Sequence, residues 1–253
     1  METGKDSVRS VDRALKVLQV FSFENSDLSL ACVCEQTGLP KTTVFRILHT
    51  LEENDYVIQD TVSGKYRLGY GLIKLGAIAQ GSISIGSVAY PYMEEVSKET
   101  GQTCNLYIRD GFERVCIEQV MGSQYVKRYS FLGARQPLHC GAGKILLAYA
   151  SQEYIESFLK NVELVCYTDS TITSKDVLRE KLKKIRSDGY TISMGERDAM
   201  TAMVALPVYD YTGSVIAAIT VSGPISFFTD DVVKKCIGCL KTAAQKISKK
   251  LGY

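Results

Sequence analysis

The strongest constraint on this chain is a helix that stops and restarts within three residues. Gly38 closes one amphipathic stretch, and Leu39-Pro40 opens the next. Glycine suits the left-handed residue that ends a helix, and proline suits a first helical turn. A connection this short turns two helices across one another. The flanks extend the pattern. Apolar residues at 11, 14, 15, 17, 18, 20 and 21 predict a first helix over 11–23 with a broad buried face. Ser29 is placed to cap a second helix running to about Gln36. Val44, Ile47, Leu48 and Leu51 form the stripe of a third. Two short β-type runs around Ser63-Gly64 then read as a hairpin. Three helices followed by a hairpin is the order of a winged helix-turn-helix.

Glycines at 69, 71, 76 and 81 punctuate a helix-like run that reads as a linker. Beyond it the texture is mixed. An amphipathic helix is expected over 91–100. Strands are expected over 103–108 and 114–120, turning at Asp110-Gly111. Further strands are expected over 125–130, 190–194, 202–209 and 215–222. Helices are expected over 144–150, 152–159 and 175–187, the last capped by Ser174 and closed by Gly189. Thr229 opens a long final helix. The expected fold class is α+β, with a winged helix-turn-helix over 1–70, a linker helix over 71–85 and a second domain over 86–253.

Bulk charge does not mark the first domain for nucleic acid. Its first 70 residues hold eight Lys/Arg against ten Asp/Glu. The placement of the charges is more telling. Residues 39–50 contain no acid, and with the apolar stripe inward the outer face shows Lys41, Thr42, Thr43, Arg46, His49 and Thr50. Such a helix enters the major groove N-terminus first, with Arg46 fitted to guanine and the threonines to phosphate or thymine methyl. Lys65 and Arg67 on the hairpin and Arg9 with Arg13 on the first helix are placed for backbone phosphate. His49 is expected at the surface, without a base-reading role. Winged helices also serve as protein-binding modules, so this face predicts double-stranded DNA without requiring it.

In order and spacing the chain resembles the IclR family of bacterial regulators. The carrying segments are Val8-Arg9-Ser10-Val11-Asp12-Arg13-Ala14-Leu15, the run 38–51, and Tyr66-Arg67-Leu68-Gly69. In the second domain they are Gly133, Pro137-Leu138-His139, Gly143-Lys144, Gly189-Tyr190, Glu196, Pro207-Val208 and Ser222-Gly223-Pro224. The resemblance implies a GAF-like α/β effector domain with a curved antiparallel sheet. It also implies homodimers made through the N-terminal domains and often paired into homotetramers. The function it implies is control of catabolic genes, more often by repression, through small organic acids. Carried over by position, it assigns the effector to the backbone amides of Gly141 and Ala142. Side chains of Ser193, Met203, Thr220 and Ser222 would line the site, with Tyr125 and Arg128 beside it. Arg128, or the amides near Gly143, is the expected counter-charge for the acid. The chain departs from the family in three places. The loop 139–144 is one residue short, Met200 replaces a usual Gly, and Met203 replaces a frequent Cys. Both methionines are expected to make the site bulkier and more apolar.

Two other classes fare worse. The chain has only two histidines, His49 and His139, and lacks a Ser/His/Asp set, a Walker loop and a dinucleotide fingerprint, so no catalytic residues are expected. Glu196-Arg197-Asp198 reads as a solvated loop. A metal- or redox-responsive regulator using cysteine is the alternative function. Cys32 and Cys34 share no helix face, and Cys236 falls on the apolar stripe of the last helix. Cys104, Cys116, Cys140 and Cys166 read as buried, reduced thiols, and neither a cofactor nor a metal is expected. No run reaches the roughly 18 apolar residues of a membrane span, and the polar start lacks a leader pattern, so a cytoplasmic protein is expected.

Overall fold

Ser29 accepts the amide of Cys32 at 3.3 Å, and Gly38 closes the same helix at φ 66°. The helix stop of the sequence is thus built in the computed structural model, which describes residues 8–22, 25–82, 84–123 and 131–253. Two compact units emerge, Met1–Ser82 and Ile83–Tyr253.

The first unit carries α1 (Arg9–Gln19), α2 (Leu30–Thr37), α3 (Lys41–Glu53), β1 (Val57–Gln59), β2 (Tyr66–Leu68) and α4 (Gly71–Ser82). Pro40 takes the N-cap of α3, one position before the first turn. Strands β1 and β2 pair antiparallel, and Leu28 bridges to Tyr66 beside them. Val17, Leu28, Val33, Val44, Leu48, Leu51, Val57 and Tyr66 form the core. The broad buried face expected of α1 is not found. Val11 and Leu15 are 53% and 50% exposed, and among its residues Val17 is the buried one. Helices α2 and α3 cover only one side of α1, so the flanking apolar stripe stays outside.

The second unit is a six-stranded sheet with helices on both faces. Its strands are β3 (Thr103–Asp110), β4 (Glu113–Val120), β5 (Arg135–Pro137), β6 (Thr191–Met194), β7 (Thr201–Tyr209) and β8 (Val215–Pro224). They lie in the order β5-β4-β3-β8-β7-β6, every pair antiparallel, in a curved half-barrel. Register breaks at Leu106/Tyr107 and Val208/Tyr209 bend the strands. Strand residues alternate between two cores. Cys104, Leu106, Val204, Ile219 and Val221 pack with α5 (Ser84–Thr100) and α9 (Asp230–Lys250). Tyr107, Cys116, Met203, Ala205 and Ala218 face α6 (Gly143–Ala148), α7 (Gln152–Asn161) and α8 (Lys175–Asp188).

Several expectations change. Helix α5 begins before Pro91 and carries it inside, anchored by the fully buried Ala89 and Met93. The short β5 had no periodicity to announce it. The expected strand over 125–130 lies outside the described residues. Cys166 is exposed because it sits in the loop after α7, not on a packed element.

Candidate functional site

The outer face of α3 is built as its spacing requires. Val44, Leu48 and Leu51 are buried, which turns Lys41, Thr42, Arg46, His49 and Thr50 to the exterior and leaves Thr43 half-buried. Lys65 and Arg67 on the hairpin are exposed, as are Arg9 and Arg13 on α1. Among the described residues Lys41, Arg46, Lys65 and Arg67 form no ion pair. The nearby acids have other work. Glu52 accepts the amide of Gln59 at 3.1 Å, and Glu53 pairs with His49 at 3.7 Å. Asp60 accepts the amides of Val62 and Ser63 at 3.1 and 2.6 Å. The Ser63 bonds above all hold its carboxyl below the usual range. A net-negative set of residues thereby leaves the cations of α3 and the hairpin without an ion pair among the described residues, with Asp60 close enough for the charge of Arg67 to act on its carboxyl. Phe45, passed over in the sequence, is 53% exposed on this face with its ring stacked against His49.

In the second unit, strand register assembles the expected effector residues. Ser193 lies opposite Met203, Met203 opposite Ser222, and Ser222 opposite Thr103. Two residues along the same face, Thr220 lies opposite Asn105 and Ala205. Ser193, Met203, Thr220 and Ser222 therefore share one buried patch. Asn105 donates to Ser222 Oγ at 3.1 Å and accepts from Gln119 at 2.7 Å. Gly141 closes the patch from the loop before α6, at φ 52°. A Cβ there would sit 2.7 Å from Met203 Sδ and 3.0 Å from Arg114 Nη1. Ala142 is fully buried beside it. Met200 does not join them, being 58% exposed, because its turn is tied back through Asp198. Tyr125 and Arg128 lie outside the described residues.

The loop amides are already engaged. Gly141 donates its N–H to Glu196 Oε2 at 2.9 Å. Gly143 and Lys144 donate theirs to the carbonyls of Cys140 and Gly141 at 3.1 and 3.2 Å. Glu196 is not the solvated residue expected from its charged neighbours. It is 8% exposed and forms an ion pair with the completely buried Lys144. The carboxylate position that the sequence assigns to a ligand on Gly141 is taken by this side chain. Arg114, also overlooked, is 3% exposed on the same face as Cys116. Alternation along β4 was the signal available for it.

The thiols offer little to a sensor. Burial pushes Cys116 up to about 12 and Cys140 up to about 11. Cys236 is in the core, and Cys239, also raised by burial to about 11, donates to Glu99 at 3.1 Å. A raised pKa disfavours the thiolate that binds metal or attacks oxidants. The metal- or redox-responsive reading is unsupported.

Comparison with known proteins covers both units. Residues 10–61 match the IclR helix-turn-helix domain, and residues 78–249 match the bacterial transcriptional regulator IclR C-terminal domain. The chain belongs to the IclR family. Within that family it is 34% identical over 247 residues to the HTH-type transcriptional regulator XynR of Escherichia coli, covering 97% of this chain and 98% of XynR. The E. coli repressor AllR is 33% identical over 250 residues, or 98% of this chain and 92% of AllR. A crystal structure of an IclR homologue from Microbacterium hydrocarbonoxydans, complexed with 4-hydroxybenzoate, superposes with TM-score 0.82 at 25% identity, covering 96% and 98% of the two chains. This IclR-family member is thus a transcriptional regulator with a DNA-binding helix-turn-helix. Its relatives are named as regulators, not as enzymes. Among the described residues no helix is long and apolar enough to cross a membrane.

Proposed function

We propose that this chain is a cytoplasmic repressor of catabolic genes whose grip on operator DNA is set by an organic acid. The observation that carries the reading is the exposed face of α3 over 41–50, which holds no acid, with Arg46 and Lys41 in no ion pair among the described residues and the hairpin cations Lys65 and Arg67 following in sequence order. The division of labour we infer is DNA binding by 1–70, a linker over 71–85 and effector binding by 86–253. Contacts to DNA are assigned to Arg9, Lys41, Thr42, Thr43, Arg46, Lys65 and Arg67. Contacts to effector are assigned to Gly141, Ala142, Ser193, Met203, Thr220 and Ser222, with Tyr125 and Arg128 as further candidates. AllR, named a repressor, supports the sign. The 4-hydroxybenzoate complex of a relative supports the ligand class.

The test is fluorescence anisotropy with DNA from upstream of the protein's own gene against scrambled DNA, across a salt series. Specific affinity should fall by about 0.9 log units per log unit of salt for each phosphate neutralised. Arg46→Ala should cost about 1–3 kcal/mol on the operator and blur its discrimination from scrambled DNA. Unchanged discrimination would remove Arg46 from base reading.

The exposed stripe on α1 supports a dimer. Val8, Val11 and Leu15 are 62%, 53% and 50% exposed at helical spacing, and Ile73 and Ile78 on α4 are 67% and 60% exposed. Apolar rows of this kind mark interfaces. Leu15→Glu is expected to lower the mass measured by light scattering to the next smaller assembly. Retention of the wild-type mass would place the interface elsewhere.

A further inference from the structure

Phe45 is an apolar ring on a helix face that is otherwise polar. It is the fifth residue of α3 and is 53% exposed. Among the described residues no other large apolar side chain of α3 is exposed. Val44, Leu48 and Leu51 close the core beneath the helix and leave the ring no place inside. Phe45 is not part of the apolar rows on α1 and α4 either, since it stands on a different element. A single exposed apolar residue is ordinary. Its position, the hold on its ring and the charges around it give this one a use.

Helical spacing puts Phe45 on one face with Lys41, Thr42 and His49, next to Arg46. The ring stacks on the His49 imidazole, with centroids 6.4 Å apart and planes 17° apart. His49 is held in turn by Glu53, one helical turn further on, at 3.7 Å. Phe45 is therefore the N-terminal member of a row of three contacting side chains. That end of a recognition helix is the one that meets base edges. Residues 39–51 contain no acid, and Lys41 and Arg46 form no ion pair among the described residues. Phosphates drawn to these cations bring the ring against the floor of the groove. A phenyl ring has neither donor nor acceptor to offer there. The one feature of the major groove that it matches is apolar, the C5 methyl group of thymine. Against the polar edges of the other bases it removes water and returns no hydrogen bond.

We propose that Phe45 is a specificity-determining residue that reads a thymine methyl group in the operator, beside the guanine assigned to Arg46. This rests on reading α3 as the recognition helix. It gives that helix an apolar reading element as well as a cationic one, with His49 as the residue that positions the ring.

The experiment uses the full chain to select bound fragments from a pool of random duplex DNA. The enriched sequence then serves as the probe for fluorescence anisotropy. Each thymine is replaced in turn by uracil, which removes the methyl group and leaves the pairing edge unchanged. At one or more thymines the uracil probe should bind about 4-fold more weakly, the weight of one apolar carbon taken from water. Phe45→Ala should bind the thymine and uracil probes alike at that position and keep any uracil penalty found elsewhere. Phe45→Leu, still apolar, should keep part of the difference. Circular dichroism checks that each variant folds, and where Phe45→Ala does not, Phe45→Gln and Phe45→Leu decide. A probe with no methyl-dependent thymine overturns the proposal. So does a uracil penalty that survives Phe45→Ala or Phe45→Gln unchanged at every position. The two readings fail differently. An enriched sequence that loses affinity with Arg46→Ala and shows no methyl coupled to Phe45 overturns this proposal and leaves the regulator standing. No enriched sequence and no salt-dependent affinity for DNA overturns both.

Discussion

Lys144→Met is expected to destabilise the second unit by about 3–5 kcal/mol, the usual result of removing one partner from a buried pair. Lys144 is completely buried, and its ammonium pairs with Glu196, whose side chain is 10% exposed. With the lysine gone, the Glu196 carboxylate keeps only the backbone N–H of Gly141 as a donor among the described residues. The loop before α6 and the turn after β6 would lose their tie, and with it the placement of Gly141. Urea denaturation followed by circular dichroism reads the change. The double variant Lys144→Met/Glu196→Leu should recover much of the loss, because neither charge then needs a partner. A loss below about 1 kcal/mol in the single variant would mean that water reaches the pair.

Leu48→Ala is expected to disable DNA binding without touching the DNA-facing side of α3. Leu48 is fully buried in the small core of the first unit, between the exposed positions Arg46 and His49. Emptying such a site costs about 2–5 kcal/mol. A unit of this size has roughly 4–10 kcal/mol to lose. Its melting transition should fall well below that of the second unit, and operator affinity should fall with it on warming. Melting of both units together at the lower temperature would show that their stabilities are not separable.

What the sequence made legible was local. Ser29, Gly38, Ser174, Gly189 and Thr229 occupy the helix ends assigned to them, because capping depends on a few neighbouring residues. The alternation of β8 put Thr220 and Ser222 on one face for the same reason. What was missed depended on distant partners. Glu196 sits beside Arg197 and Asp198 and reads as solvated, yet its ion-pair partner is 52 residues upstream. Arg114 lies next to Glu113 in the chain, but the strand pleat separates them and sends the arginine inward. The stripe of α1 was periodic enough to predict burial, and only the size of the unit decided which half of it was covered.

The pleat of β3 has a mechanical meaning. Asn105 belongs to the polar patch that faces Ser222, while its immediate neighbours Cys104 and Leu106 belong to the core shared with α5 and α9. One peptide unit separates a hydrogen bond from a close-packed apolar contact. A molecule that draws Asn105 by a fraction of an ångström cannot leave Cys104 and Leu106 where they were. The sheet is a single layer between two packed faces, so a push on one would be felt on the other. Helix α5, packed on the face of Cys104 and Leu106, is the first element of the unit, so it is also the one through which the chain arrives from α4.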